Sequence, residues 1–416
     1  MIKKVLVVVD SINIEDSSGS KVNVALIQNL ATAGFEVLVY HYTRKNIQLE
    51  GVDCYSIPEI KYCPLYFLSR LQRVLQRNMK VNLAPFLESL FGFSFTFFND
   101  ANSIARALKK CDFQSNLVLT LSKGASFRPH YAVLKLPELH SKWMAYVHDP
   151  YPFHYYPRPY NWVEPGYQFK EDFFRKVSEK AKYSAFPSLL LNEWMGSYLP
   201  NFLKTGIVIP HQNSKYEIQN TDFPDYFDSL KFNILHAGNL MKQRSPEGLI
   251  EGFKLFLNQN PEARKESKLI LLGNASYHSS MLKEYEIDNP EIYIYNGNIP
   301  FDTVYNLQKN ASVNVILESK SEISPFLPGK FPHCIEANKI IFSLAPYYSE
   351  TRRLLGNNYP YWAEVDEVGK IAIVITALYQ LWKQDPDSLL LNRKDLVEYL
   401  SADYLSEIIK GLEIIN

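Results

Sequence analysis

Apolar residues fall along the chain in short β-branched runs separated by longer stretches of helical periodicity. Val5–Val9 is continuous, the pattern of a parallel strand covered on both faces. A polar loop, Ser17-Ser18-Gly19-Ser20, leads into an amphipathic stretch that predicts a helix from about Lys21 to Ala33. Gly34 is placed to cap that helix, and Val37–Tyr40 returns as a second strand, completing a βαβ unit. Leu117–Leu121, Trp143–His148 and Ile207–Pro210 continue the series. The pattern then restarts. Phe232–Ala237 predicts a strand, Gly238–Ser245 a loop, and Pro246–Asn258 a helix with proline near its first turn. Lys268–Leu272, ended by Gly273, then Ile292–Tyr295, Val313–Leu317 and Ile340–Leu344 add further strands with helical segments between them. Two successive sets of alternating strands and helices predict an α/β protein of two doubly wound domains. The polar stretch His211–Pro224 has no apolar period and predicts the boundary. The expected division is 1–212, 213–394, and a helical tail over 395–416 packing back toward the first domain.

A length of 416 residues agrees with two domains, and 46% apolar residues suffice for sizeable cores. Lysine plus arginine equals aspartate plus glutamate at 44 each, which argues against a general nucleic-acid binder. The balance hides an asymmetry. Residues 1–210 carry 24 basic and 17 acidic side chains, and the rest carry 20 and 27. Opposite signs fit two domains with different partners, and equally a permissive solvated surface. Cys54, Cys63, Cys111 and Cys334 show no CxxC spacing, so no zinc site is expected and a reducing cytosol fits. The apolar run after Lys3-Lys4 is stopped by Asp10, well short of the roughly 7–15 residues of a signal-peptide core. No run approaches the ~18 apolar residues of a spanning helix. A cytoplasmic protein is expected, at most peripheral at the inner face of the cell membrane.

In open α/β sheets ligands bind beyond the carboxyl ends of the strands, so the loops there carry the candidate chemistry. A dinucleotide reading wants G-x-G-x-x-G after the first strand, where only Gly19 stands, and a Walker A motif is missing. After Phe232–Ala237 the loop Gly238-Asn239-Leu240-Met241-Lys242-Gln243-Arg244-Ser245 joins a glycine, two cations and a helix start, a combination suited to phosphate. An ordinary connector with solvated cations reads the same way. After Val313–Leu317, Lys330, His333 and Glu336 recur at i, i+3, i+6, and a helix there would put the first two on one face, with Pro332 in its first turn. In the first half, Trp143–Val147 runs into His148-Asp149-Pro150, and the stretch to Gly166 is dense in tyrosine and proline. Those aromatic faces suit sugar rings and serve equally as a packed loop. A serine hydrolase lacks its G-x-S-x-G elbow here.

These motifs together resemble a glycosyltransferase of GT-B architecture, closest to glycosyltransferase family 4. Gly19 matches the glycine of the family's first loop, and Ala33-Gly34-Phe35-Glu36-Val37 resembles its approach to strand two. His148-Asp149 matches the strand-end histidine, and Val208-Ile209-Pro210-His211 resembles the "V-I-P-N-G" that ends the first domain. Ala237-Gly238-Asn239-Leu240 with Arg244-Ser245 resembles "G-R-L…K-G", with Arg244 at the lysine position and Asn239 where arginine is usual. Lys330 to Lys339 resembles the "S-K…G-K-P-I" variant. In that register His333 and Pro325 stand where the family has two glutamates, and Glu322 lies nearby; reading Glu336 as the second glutamate puts Pro328 at the first.

The resemblance implies two Rossmann-like domains facing across a cleft, and transfer of a sugar from a UDP- or GDP-linked donor with retention of configuration. It implies no metal or other cofactor. His148, with Asp149, would orient the donor sugar as catalytic residues; Gly19, Gly238, Asn239, Arg244, Lys330, His333 and Glu336 would hold the nucleotide sugar. The acceptor, a glycan or lipid-linked glycan, would dock on the first domain. There Arg70, Arg73, Arg77 and Lys80 recur at helical spacing beside Leu71, Val74 and Leu75. That basic amphipathic helix reads as contact with an anionic membrane or as a surface helix over a core. Two rival functions stay open: a non-catalytic nucleotide- or partner-binding scaffold, and a sugar-nucleotide epimerase or hydrolase.

Overall fold

A computed structural model of the protein describes residues 2–79, 82–160, 162–213 and 222–412. The chain divides into two compact units. The first comprises Met1–Tyr156, Tyr160–Ser214 and Leu400–Asn416, and the second Pro157–Pro159 and Lys215–Tyr399.

The first unit is built on seven parallel strands: β1 (Lys4–Val9), β2 (Glu36–His41), β3 (Asp53–Ser56), β4 (Leu117–Leu121), β5 (Trp143–Tyr146), β6 (Tyr183–Phe186) and β7 (Gly206–Val208). Their order is β3-β2-β1-β4-β5-β6-β7, so the direction of travel reverses between β1 and β4. Val5 lies beside Val37 on one side and Leu117 on the other. Alternate residues of each strand serve opposite faces. Leu6, Val8, Val118 and Trp143 join one core, while Val5, Val7, Leu117 and Met144 join the other. This double burial explains the unbroken apolar run in the sequence. The helix Ala402–Gly411 packs beside the helix Ser18–Thr32 and closes the second face with Leu405, Ile409 and Leu412.

Helix Ser18–Thr32 starts earlier than its apolar period predicts. The Ser17 hydroxyl accepts the Ser20 N–H at 3.1 Å, so Ser17 is the cap and Gly19 lies in the first turn rather than in a loop. Gly34 ends the turn after it at φ +88°, a conformation that suits glycine.

The second unit repeats the plan with β8 (Phe232–Ala237), β9 (Ser267–Leu272), β10 (Ile292–Tyr295), β11 (Val313–Leu317), β12 (Ile323–Ser324), β13 (Ile340–Leu344), β14 (Tyr348–Ser349) and β15 (Trp362–Ala363). Six of these form a parallel sheet in the order β10-β9-β8-β11-β13-β15, and β12 pairs with β14 apart from it. The reversal falls between β8 and β11. Helix Glu247–Gln259 begins after Pro246 and lies close to helix Val368–Gln384, where a β-carbon on Gly252 would stand 2.3 Å from an Ile371 methyl.

The sequence reading did not contain β3, β6, β12, β14 or β15, which are short. The tail is two helices, Lys394–Tyr399 in the second unit and Ala402–Gly411 in the first. Within the expected boundary stretch, residues 214–221 lie outside the described residues. No helix among the described residues is long and apolar enough to cross a membrane.

Candidate functional site

The reversal between β8 and β11 leaves a crevice beyond their carboxyl ends, the position where doubly wound sheets bind ligands. β8 ends at Ala237, and the chain turns at Gly238. A β-carbon on Gly273, after β9, would come within 2.5 Å of the Gly238 carbonyl oxygen. Only two glycines let these loops approach so closely. Lys330 precedes the helix Phe331–Glu336 and reaches back over Gly238 to the imidazole of His236, with Nζ 3.4 Å from Nδ1 and 3.5 Å from Nε2. The His236 Nδ1 lies 3.2 Å from the Val315 carbonyl, which suits an N–H donor there and leaves Nε2 to accept from the amine.

Burial, with the charges of Lys330 and Arg244, holds the His236 ring well below the usual imidazole range, so it is neutral. Burial and the Arg244 guanidinium also push the Lys330 amine down to about 7. Arg244 donates to the Asn239 carbonyl at 3.4 Å. Glu318, the first residue after β11, is buried, and burial pushes its carboxyl up to about 7 against the pull of Ser324, Thr351 and Arg244. The crevice therefore gathers the Arg244 guanidinium with an amine and a carboxyl group, Lys330 and Glu318, whose charges burial opposes. Such a place stabilises an arriving anion, because a ligand's negative charge restores what desolvation removed.

The other predicted residues of this unit have different surroundings. Asn239 is exposed; its side-chain oxygen accepts the Asn274 N–H at 3.1 Å, and the Leu240 N–H donates to the Asn274 carbonyl at 2.9 Å. It fastens the loop after β8 to the loop after β9. His333 packs its ring edge-on to Phe301 and Tyr305, at 5.0 and 5.9 Å, while Lys330 points to β8. Glu336, at the end of the same short helix, acts on the Tyr305 hydroxyl and helps to raise it above its ordinary range. Pro332 sits in the first turn of that helix.

In the first unit β1 is followed directly by Asp10, whose carboxyl group accepts the Lys123 N–H at 3.1 Å and the Ser126 hydroxyl. A β-carbon on Gly19 would lie 3.5 Å from the Gly124 nitrogen, so the helix start after β1 touches the loop after β4. Arg128 links Asp10, at 3.8 Å, to Asp100, at 3.1 Å. Arg44 links Asp100 to Glu59, and Glu59 accepts from Arg70 at 3.2 Å. One strand over, His148 is buried beyond β5. Its ring lies 4.4 Å from that of Tyr146 and 6.1 Å from that of His211. Burial and the neighbouring imidazoles hold it neutral, and its Nε2 has no hydrogen-bond partner among the described residues. Burial raises the Asp149 carboxyl to about 6. The aromatic stretch beyond is pinned by Glu164, which accepts the Phe153 N–H at 3.1 Å and the Lys170 amine at 2.6 Å. Phe153 stacks on the exposed Trp162 at 5.0 Å.

Arg70, Arg73 and Arg77 lie on the helix Pro64–Met79, and Lys80 lies outside the described residues. Arg70 is paired with Glu59 and covers the Tyr66 ring, Arg73 donates to the Ser69 carbonyl at 3.4 Å, and Arg77 is exposed. Of the predicted set, the structure brings Gly238, Arg244 and Lys330 together in the second unit, with His148 and Asp149 adjacent in the first. The sequence reading omitted Asp10, His236 and Glu318. Asp10 and Glu318 directly follow buried strands, so the strand-end rule was able to find them. His236 lies inside a strand, where no such signal exists. Among the described residues, no group of three or more histidine, cysteine or acidic side chains is placed to hold a metal ion.

No family model matches the chain, and no curated protein matches it. Solved structures do. The trehalose-6-phosphate synthase OtsA has a TM-score of 0.65 at 9% identity, covering 98% of this chain and 98% of that one. A UDP-forming α,α-trehalose-phosphate synthase from Burkholderia xenovorans, in complex with glucose-6-phosphate, has a TM-score of 0.61 at 9% identity, with coverage of 99% and 100%. The Anabaena protein HepE, in complex with UDP and glucose, has a TM-score of 0.54 at 10% identity, with coverage of 97% and 95%. At these identities the likeness is one of fold. The chain has the GT-B fold, made of two Rossmann-like units.

Proposed function

We propose that the protein is a retaining glycosyltransferase that moves a sugar from a UDP- or GDP-linked donor to a glycan hydroxyl, in the assembly of a surface polysaccharide. The observation that carries this reading is the convergence of Lys330 and Arg244 over Gly238 at the β8/β11 reversal. Two cations there suit a diphosphate, and Arg244 can grip two of its oxygens. In the reaction the bond from the anomeric carbon to the diphosphate oxygen breaks, and a bond to the acceptor oxygen forms on the same face. The acceptor proton leaves with the departing diphosphate or to solvent. Lys330 and Arg244 take up the charge that develops on the leaving group, so no metal is needed for that step. His148, neutral and with Nε2 free to hydrogen-bond, orients the donor sugar, and Asp149 tunes it. The fold is that of structures bound to UDP and glucose or to glucose-6-phosphate, and the loop motifs resemble those of glycosyltransferase family 4.

A second reading, a nucleotide-binding scaffold without turnover, draws on Pro325 and His333 at the positions of the paired glutamates. The deciding experiment incubates the purified protein with labelled UDP- and GDP-sugars, with and without glycan acceptors. Acceptor-dependent release of nucleoside diphosphate supports transfer. Binding without turnover supports the scaffold, and turnover without acceptor an epimerase or hydrolase. Binding of none of the donors refutes transfer, the nucleotide-binding scaffold and the epimerase or hydrolase, and leaves a scaffold that binds a partner.

A further inference from the structure

Phe232 and Ile234 of β8 belong to the main core of the second unit, while Leu235 and Ala237 belong to the core on the other face. The alternation along the strand therefore puts His236 at the end of the face that carries Phe232 and Ile234. Its ring is fully buried in a strand of mostly apolar residues. A polar ring in such a place costs stability unless its nitrogens are met. The Val315 carbonyl of β11 meets Nδ1, and the other partner is Lys330. The next residue on that face is Gly238. The Lys330 amine fills the space its side chain would take, since a β-carbon there would stand 2.5 Å from Nζ and 3.6 Å from the His236 Nε2.

Other inward cations of this chain are given carboxylates. Lys170 has Glu88 and Glu164, and Arg128 has Asp10 and Asp100. Lys330 has no carboxylate in ion-pair contact among the described residues. The charged and titratable groups around it are Arg244 on the loop after β8, Glu318 beyond β11, Cys334 on its own helix, and the His236 ring beneath. A carboxylate in the place of that ring would hold the amine as well, but it would neutralise the amine and repel an incoming anion. A neutral imidazole accepts a hydrogen bond and supplies no counter-charge. The amine is thus held in place with its charge unspent.

We propose that His236 is the positioning residue of Lys330: as a neutral acceptor it fixes the amine over Gly238 and leaves the charge of that amine to the donor diphosphate. The use of the charge rests on the diphosphate reading above, whereas the placement can be read without a ligand.

The first test is a pH titration of the full chain, labelled with carbon-13 in its lysines, followed by nuclear magnetic resonance. Lys330, assigned by its loss in Lys330→Met, should titrate near 7 in the parent. His236→Leu removes the acceptor, so the amine should leave the crevice and titrate near the ordinary 10.5. His236→Gln keeps an uncharged donor and acceptor and should retain the low value. His236→Glu supplies a counter-charge and should raise it. The second test is calorimetry with UDP and GDP at pH 8. His236→Leu should lower affinity about fivefold or more and His236→Glu about tenfold or more, with His236→Gln within about threefold of the parent. The parent and His236→Gln should take up a proton on binding, and the other two should not. A role in packing alone would lower the melting temperature of His236→Leu and leave the Lys330 titration where it is, which overturns the proposal. So does a His236→Gln protein that behaves as His236→Leu does, or a His236→Glu protein that binds as tightly as the parent. Absence of UDP and GDP binding by the parent refutes the diphosphate site, while the titrations by themselves decide whether His236 places the amine.

Discussion

A β-carbon on Gly238 would stand 2.5 Å from the Lys330 amine, so the glycine and the lysine occupy their places only together. Gly238→Ala is expected to push Lys330 out of the crevice while leaving β8 intact. Nucleoside diphosphate affinity, read by calorimetry, should fall about tenfold or more, since a charge-assisted contact is lost. Lys330→Met should fall as far, and the two changes combined should cost little more than either alone.

The pH dependence of binding follows from the same amine. With its proton affinity pushed down to about 7, Lys330 is largely neutral above that pH in the free protein. An arriving diphosphate favours the charged form, so binding should take up a proton and weaken as pH rises from 7 toward 9. Calorimetry in buffers of different ionisation enthalpy measures the uptake. Lys330→Met should abolish most of it.

Glu318 has the opposite sign. Its folded carboxyl titrates at about 7 against an ordinary value of 4.5, so the folded state holds the proton more tightly than the unfolded chain. Its contribution to stability is full below pH 4.5 and is lost as pH rises through 7. Glu318→Gln should therefore raise the melting temperature relative to the parent at pH 8, by about 2–4 °C, and change it less at pH 5. Thermal scans of both proteins at the two pH values decide this.

His148 and Lys330 belong to different units, which separates their effects. His148→Ala should leave nucleoside diphosphate affinity within about twofold of the parent. Turnover should drop roughly 100-fold, because a donor sugar held without its orienting group samples unproductive poses. A matching loss of nucleotide affinity would refute this role.

Arg128 is the shared counter-ion of two buried carboxylates, Asp10 and Asp100. Burial raises both, and Arg128 is the largest influence opposing that rise in each case. Arg128→Met should destabilise the first unit by about 3–5 kcal/mol, the usual consequence of leaving a buried charge without its partner. Urea unfolding followed by aromatic fluorescence measures it.

Much of this architecture was legible because buried parallel strands write themselves as unbroken apolar runs. Val5–Val9, Leu117–Leu121 and Val313–Leu317 are strands with nearly those bounds. β3 was not legible because it alternates exposed and half-buried residues, and β15 because two residues leave no period to read. Gly238, Arg244 and Lys330 followed from looking at strand ends. The partner of Lys330 did not, since His236 sits 94 positions away in sequence and nothing local marks a strand histidine as the one beneath an amine. The bond from Asn274 to Asn239 was out of reach for a related reason: a polar side chain in a phosphate-type loop can serve a ligand, a neighbouring loop or both, and its partner 35 positions away leaves no local mark.

The helix Ala402–Gly411 completes the first unit although Lys215–Tyr399, nearly all of the second unit, is encoded before it. A ribosome releasing this chain delivers seven strands whose second face still lacks Leu405, Ile409 and Leu412, and synthesises nearly two hundred further residues before supplying them. Part of the second apolar face of the amino-terminal half therefore stays uncovered until Ala402–Gly411 is made, so the last step of its folding follows synthesis of its neighbour. Final closure of the first unit becomes a report that the second has been made in full.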